Sequence, residues 1–373
     1  MMKAFLAEDE FINSAMGDGA VVKVVMGVMV IPSNRRNRDA VRATWGAAAA
    51  PRMLVRFVAG DVRCARSEMQ AEQLQYGDCS FVDSKDCSKV HSPAKVYAWF
   101  NYAASTWPDV PWIGKMEDDG IVWPSALFID LDALGPRAHL DAVYVGMMQW
   151  HGSCLMSEGS DAPGRQQLCK GCWGGWFSGG RPPSSNCPPL MERGMVLEST
   201  TGPLGSHSCP LLRFAPFACG PLDVRSRPLA LAMAKCEYAS RFFQEVSRRG
   251  ERTRKLCYSA DGAQGTAMSS CMSPLSIVDL GPGRQRFATA RQLNNTNGVM
   301  IVHPIKTGIL AEWNFMWNFL RRGPYRPERM SKARVSWRND SMWPQVQRDA
   351  LPRASQQCSH GRHKKSTTAC ATQ

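Results

Sequence analysis

The sequence predicts an α/β fold, with a mostly parallel central sheet flanked by helices, and three observations carry that prediction. Strand-like apolar runs alternate with helix-like stretches from Val21 to Met148, and the connections between them are short. Three consecutive carboxylates, Glu117, Asp118 and Asp119, follow one of those runs directly, at the place where open α/β sheets collect their ligands. The chain has 373 residues, 44% hydrophobic and 21% charged, which is enough to bury one large core.

Taken in order, Val21–Ile31 is β-branched and nearly continuous, the pattern of a central strand covered on both faces. Pro32, Ser33 and Asn34 end it. Arg35 to Trp45 then opens a helix that sets Arg38 and Arg42 one turn apart on one face. Met53–Ala59 is a second strand, Arg66–Gln75 a helix rich in Glu and Gln, and Tyr76–Asp83 a short edge strand. Pro93 starts a helix that runs to about Ala104, because proline suits a first helical turn. The turn-rich segment Trp107–Trp112 leads into the strand that carries the acids, and Pro124–Leu134 is a helix packed by Leu127, Phe128 and Leu131.

Beyond the strand Ala142–Met148, residues His151–Cys209 are rich in Gly, Pro, Ser and Cys and lack regular periodicity. There Cys169 and Cys172, with Cys187 and Cys209, pair more naturally as disulfides than as a zinc site, since no second Cys-x2-Cys or suitably spaced His follows. Trp173 and Trp176 either offer flat faces on which a ligand's rings stack or pack this excursion. A helix is expected over Pro228–Arg248, a last strand over Gly298–Val302, and an aromatic core segment over Glu312–Leu320.

Side by side, three carboxylates repel one another, and ionised carboxylates leave water only when paired or coordinating a cation. Oxygen donors suit Mn2+ or Mg2+, which keep positions open for substrate phosphates. Read alone, the Glu-Asp-Asp turn is equally a solvated acidic turn, Arg38 and Arg42 solvated arginines, and Asp261 a helix cap.

The series Arg38-x3-Arg42-x-Thr44-Trp45, Phe57-Val-x-Gly60, Tyr76-Gly-Asp78, Lys95 and Lys115-x-Glu117-Asp118-Asp119 resembles the beta-1,3-galactosyltransferase family, glycosyltransferase family 31. Trp45 and the acid motif carry the likeness most specifically. Glu117 stands where the family has a first aspartate. Tyr258-Ser-Ala-Asp261-Gly-Ala-Gln-Gly265 resembles the family's Glu-Asp-Val-x-x-Gly segment, with Ala260 and Gly262 departing from it, and His303-Pro304-Ile-Lys306 resembles its C-terminal His-Pro-x-Lys.

The resemblance implies a GT-A nucleotide-diphospho-sugar transferase fold, a UDP-sugar donor, a glycan or glycoprotein acceptor and a Golgi location with membrane association. It implies Asp119 and His303 as ligands of Mn2+ (Mg2+ as substitute) and Asp261 as the base that deprotonates the acceptor. Arg38, Arg42, Glu117 and Asp118 are then nucleotide-sugar contacts, and Lys115 balances charge among them. The implied reaction moves a hexose, galactose or N-acetylhexosamine, with inversion and in a β-1,3 linkage; the alternative is a catalytically silent glycan-binding protein on the same fold.

Composition bounds the remainder. The net charge of +13 is concentrated late: residues 321–373 hold 12 Lys and Arg against 3 Asp and Glu. That stretch lacks apolar periodicity and reads as a weakly ordered basic tail, and nucleic acid is not expected as a partner because no recognition module accompanies it. Fourteen cysteines fit an oxidising lumen. The sequons at Asn294 and Asn339 permit the same compartment. No basic segment followed by a long apolar one opens the chain, and Ala20–Ile31 is too short for a bilayer. The expected organisation is an N-terminal tail over 1–20, a catalytic domain over 21–320 with its excursion at 151–209, and the tail at 321–373.

Overall fold

In the computed structural model the described residues are 22–60, 67–84, 92–135, 137–149, 217–253, 260–272, 275–280, 287–288, 300–305, 309–322, 334–337 and 347–348. The 151–209 excursion, both sequons, and the cysteine pairs and tryptophans within the excursion lie outside them.

The first half alternates as the pattern requires: β1 (Val24–Met29), α1 (Arg35–Val41), β2 (Met53–Ala59), α2 (Ser67–Tyr76), β3 (Cys79–Phe81), α3 (Pro93–Thr106), β4 (Trp112–Glu117), β5 (Ile121–Val122), α4 (Pro124–Asp132) and β6 (Val143–Gln149). There follow β7 (Phe217–Ser226), α5 (Arg227–Lys235), α6 (Glu237–Thr253), α7 (Ala260–Cys271), β8 (Leu275–Asp279), β9 (Phe287–Ala288), β10 (Ile301–Val302), α8 (Leu310–Arg322), β11 (Arg334–Trp337) and β12 (Gln347–Arg348). The main sheet has nine strands in the order β12-β11-β8-β6-β7-β4-β1-β2-β3, and β5, β10 and β9 form a second, small sheet.

In the main sheet β7 and β11 run against the other strands, so the sheet is mixed with a parallel majority. The expected α/β class is the one observed. β1 shows why its sequence is apolar throughout: Val24, Met26 and Val28 face a cluster with Trp45, Leu127, Trp313 and Trp317, while Val25 and Met29 face Val96, Trp99 and Phe100 of α3. Gly27 lets the Trp99 indole rest on the strand, since a Cβ there would lie 2.3 Å from the ring. A third cluster joins α5, α6 and α7 through Leu229, Phe242, Phe243 and Ala267.

One expectation is corrected. The single helix over Pro228–Arg248 is two, broken at Cys236, whose sulfur bonds Cys271 at the end of α7; the bond fixes the junction that a continuous helix would straighten. Within 321–373 the described residues 334–337 and 347–348 form β11 and β12; β11 pairs with β8 and β12 with β11, at the edge of the main sheet. Among the described residues no helix is long and apolar enough to cross a membrane.

Candidate active site

The acids leave the end of β4, at the core of the sheet, and turn sharply into β5. β5 pairs antiparallel with β10, Ile301 opposite Val122 and Val302 opposite Ile121, so the residue after β10 arrives beside the acid turn. That residue is His303. Two further bonds fasten the arrangement: the Trp123 amide donates to the Met300 carbonyl at 2.8 Å, and the Ile305 amide to the Asp119 carbonyl at 2.8 Å. Trp45 holds the turn from below. Its indole N–H donates to the Gly120 carbonyl at 3.1 Å, a reach made from a widened π-type turn over Arg42–Gly46 that continues α1.

Glu117, Asp119 and His303 present ligand atoms that all lie within 4.8 Å of one another. His303 Nε2 stands 2.6 Å from Glu117 Oε2 and 3.0 Å from Asp119 Oδ1. Those contacts lack hydrogen-bond geometry, and Nε2 is a buried polar atom with no hydrogen-bond partner. A neutral imidazole would aim its lone pair at two carboxylate oxygens, an arrangement relieved by a positive charge at their common focus. Burial lowers the affinity of His303 for a proton, yet Asp119 and Glu117 outweigh it and push the imidazole up to about 9. The donor set, two carboxylates and one imidazole, suits Mn2+ and is compatible with Mg2+. The residues therefore fit the expected metal.

Asp119 and His303 meet as expected. Glu117 joins them in the same cluster, although the family resemblance implies only a donor contact for it. The strand's two-residue period could have signalled this, since it puts Lys115 and Glu117 on one face and Asp118 on the other. Asp118 indeed turns away and accepts from Asn34 Nδ2 at 2.7 Å, in the loop after β1. Burial pushes its carboxyl up to about 6, and the charge of Asp119 adds to this against the amides of Asn34 and Asn37. Asn34 had no mark in the sequence beyond ending a strand.

Arg38 and Arg42 need revision. Arg38 is fully buried; it donates to both oxygens of Glu72, at 2.6 and 2.9 Å, and to the carbonyls of Ile31 and Pro32. Arg42 binds Asp78 at 2.8 and 2.9 Å and Glu72 at 3.0 Å, between the rings of Phe57 and Tyr76. These guanidinium groups are engaged by protein acids, and Arg38 has no exposed surface to offer a nucleotide. Their observed part is to brace the exit of β1, where Asn34 sits.

Asp261 opens α7, and its carboxylate is held from two sides. The Gly220 amide donates to Oδ2 at 3.0 Å and Lys115 Nζ to Oδ1 at 3.3 Å. Lys115 also reaches Glu117 Oε1 at 3.5 Å. Gly220 has φ +76°, next to a register shift between β6 and β7, and that local bulge aims both its amide and its carbonyl at these side chains. With 20% of its side chain exposed, Asp261 stays open to solvent while joined through one lysine to the cation group.

Residues 36–166 match the family model described as Galactosyltransferase. Hydroxyproline O-galactosyltransferase HPGT1 of Arabidopsis thaliana is 30% identical over 154 residues, 36% of this chain. The chain spans 43% of that relative's length. Two solved structures match the chain at low identity and low structural overlap. One, a glycosyltransferase involved in the glycosylation of the major capsid of PBCV-1, is 9% identical, with 80% of this chain and 98% of that one covered and a TM-score of 0.31. The other is a core-mannan synthase A from Aspergillus fumigatus in a Mn/GDP form, 9% identical, covering 71% and 74%, with a TM-score of 0.32. The stretch 36–166, which contains the acid turn, is thus similar in sequence to the galactosyltransferase family.

Proposed function

We propose that this chain is a metal-dependent inverting glycosyltransferase of the GT-A type, moving a hexose from a UDP-sugar to a hydroxyl of a glycan or glycoprotein acceptor. The observation that carries the reading is the convergence of Glu117, Asp119 and His303, with Asp261 tied to it through Lys115. A relative that is a hydroxyproline O-galactosyltransferase makes galactose the first donor to test, ahead of N-acetylhexosamines, and a hydroxyproline hydroxyl one candidate acceptor. A β-1,3 linkage and a Golgi-lumen, membrane-associated setting belong to the same proposal, and the Cys236–Cys271 bond supports an oxidising compartment.

Glu117, Asp119 and His303 would hold the cation, Mn2+ with Mg2+ as substitute, which would supply positive charge against the negative charge that builds on the departing diphosphate. Asp118, steadied by Asn34, orients donor hydroxyls. Asp261 accepts the proton of the incoming acceptor hydroxyl while that oxygen forms its bond to the anomeric carbon and the carbon–oxygen bond to UDP breaks on the opposite side. Attack from that face inverts the anomeric centre.

The test is UDP release by the full chain over a panel of UDP-sugars, with Mn2+ or chelator and with an acceptor hydroxyl present. Cation-dependent release with one donor favoured is expected, and Asp261→Asn should cut turnover by about 10^2 to 10^4. Undiminished turnover in that variant, or release indifferent to chelation, would overturn the reading.

A further inference from the structure

Lys115 occupies a position that charge balance alone does not explain. Its side chain is 1% exposed, and Nζ donates to the Gly220 carbonyl at 3.0 Å and to Asp261 Oδ1 at 3.3 Å while standing 3.5 Å from Glu117 Oε1. The Gly220 amide closes the same ring on Asp261 Oδ2. Both oxygens of that carboxylate are thus fixed, one by an ammonium and one by the backbone. Asp223 lies across the strand pair from Lys115, but Arg225 engages it at 2.7 and 3.1 Å, so its charge is met from its own strand. The lysine's direct contacts with acids are to Asp261 and Glu117.

We propose that Lys115 is a positioning residue that ties the base to the cation group and sets the base's place relative to the leaving diphosphate. The inference rests on the reading of Asp261 as base and of Glu117, Asp119 and His303 as cation ligands. Asp261 and Lys115 are 146 residues apart, on α7 and β4. Lys115 and Glu117 sit two apart on one strand and share its face, with no loop between them. A partly exposed carboxylate at a helix start would otherwise turn toward water. Gripped by a buried cation rooted in the sheet, it keeps one orientation, and small errors in such placement cost rate steeply.

The experiment is a double-mutant cycle on the full chain: Lys115→Met, Asp261→Asn and both together, with turnover measured under Mn2+ and the preferred UDP-sugar. Lys115→Met should lower kcat by about 10^2 and change donor KM by less than about threefold, because positioning acts on the chemical step. In the Asp261→Asn background the same change should cost less than about threefold, since the carboxylate it serves is gone. Mn2+ binding to Lys115→Met, read from the electron paramagnetic resonance of free Mn2+, should be as tight as in the parent or tighter, because a positive charge has left the vicinity. Equal cost in both backgrounds, or Mn2+ binding that loosens together with turnover, would make Lys115 a structural support and overturn the proposal. Full turnover in Asp261→Asn alone would instead overturn the base assignment, and this inference with it. Should the methionine variant not fold, Lys115→Gln supplies a neutral donor and the cycle is repeated with it.

Discussion

The Ile305 amide donates to the Asp119 carbonyl at 2.8 Å, so the backbone that delivers His303 is bonded to the backbone that delivers the acids. The cation group is therefore held together by main-chain contacts as well as by side-chain charge. The three side chains come from segments far apart in the chain, and these backbone bonds help to bring them together.

A first prediction ranks the acids. Replacing a direct ligand should weaken Mn2+ binding by about 10^2 or more, at least as much as losing an outer-shell partner does. Asp119→Asn, His303→Ala and Glu117→Gln should fall together in calorimetric titration, whereas Asp118→Asn should keep most of its Mn2+ affinity and lose donor affinity. Grouping of Glu117→Gln with Asp118→Asn would restore the purely donor-facing role.

Gly220 supplies a second. A Cβ there meets nothing nearer than 4.0 Å, so Gly220→Ala has room for its methyl group. The cost is conformational, about 1–2 kcal/mol for an L residue held at φ +76°. Denaturant melts should show that loss. Turnover should drop by more than the stability change explains, since the amide and carbonyl that grip Asp261 and Lys115 move with the backbone.

The Glu72 network gives a pH dependence. Burial favours the neutral acid, but Arg38 and Arg42 outweigh it and hold the carboxyl below its ordinary value of 4.5. A depressed folded pKa contributes stability that is present above the unfolded value and is lost as pH falls through the folded one. Stability should therefore decline below about pH 4.5. Glu72→Gln, which leaves the buried Arg38 charge without its partner, should flatten that acid limb while costing about 3–5 kcal/mol at neutral pH.

Cys79 offers a simple control on the fold. Burial, with the charge of Asp78 added, pushes its thiol up to about 12. A thiol so placed is inert, so at pH 8 a disulfide-exchange reagent should leave Cys79 unmodified in the native protein and label it after denaturation. Labelling of the native protein at the unfolded rate would contradict the packing of β3 against β2.

Much of this is legible in the sequence itself. Continuous β-branched runs marked β1 and β2, Pro93 and Pro124 marked the starts of α3 and α4, and the meeting of Asp119 with His303 followed from the family resemblance. The resemblance was less informative about what its own residues do. Arg38, Arg42, Phe57, Tyr76 and Asp78 form one braced assembly beneath the β1 exit, and an arginine in a motif looks the same on paper whether it grips a phosphate or a buried glutamate. The two-residue pairing of β5 with β10 left no periodic trace, because a bridge that short has no alternation to display. The break at Cys236 was hidden for a related reason: a covalent partner 35 residues away decided it.

One feature of the sheet reaches beyond these residues. β6 points the same way as β4, and its last residue, Gln149, pairs with Phe217, the first of β7. Gln149 and Phe217 are therefore neighbours at the edge of the sheet from which the acids leave. Doubling the length of such a closed connection costs only about 0.6 kcal/mol of chain entropy. Because its two ends are already neighbours in the sheet, the length of chain between them can change while the pairing of β6 with β7 stays in place.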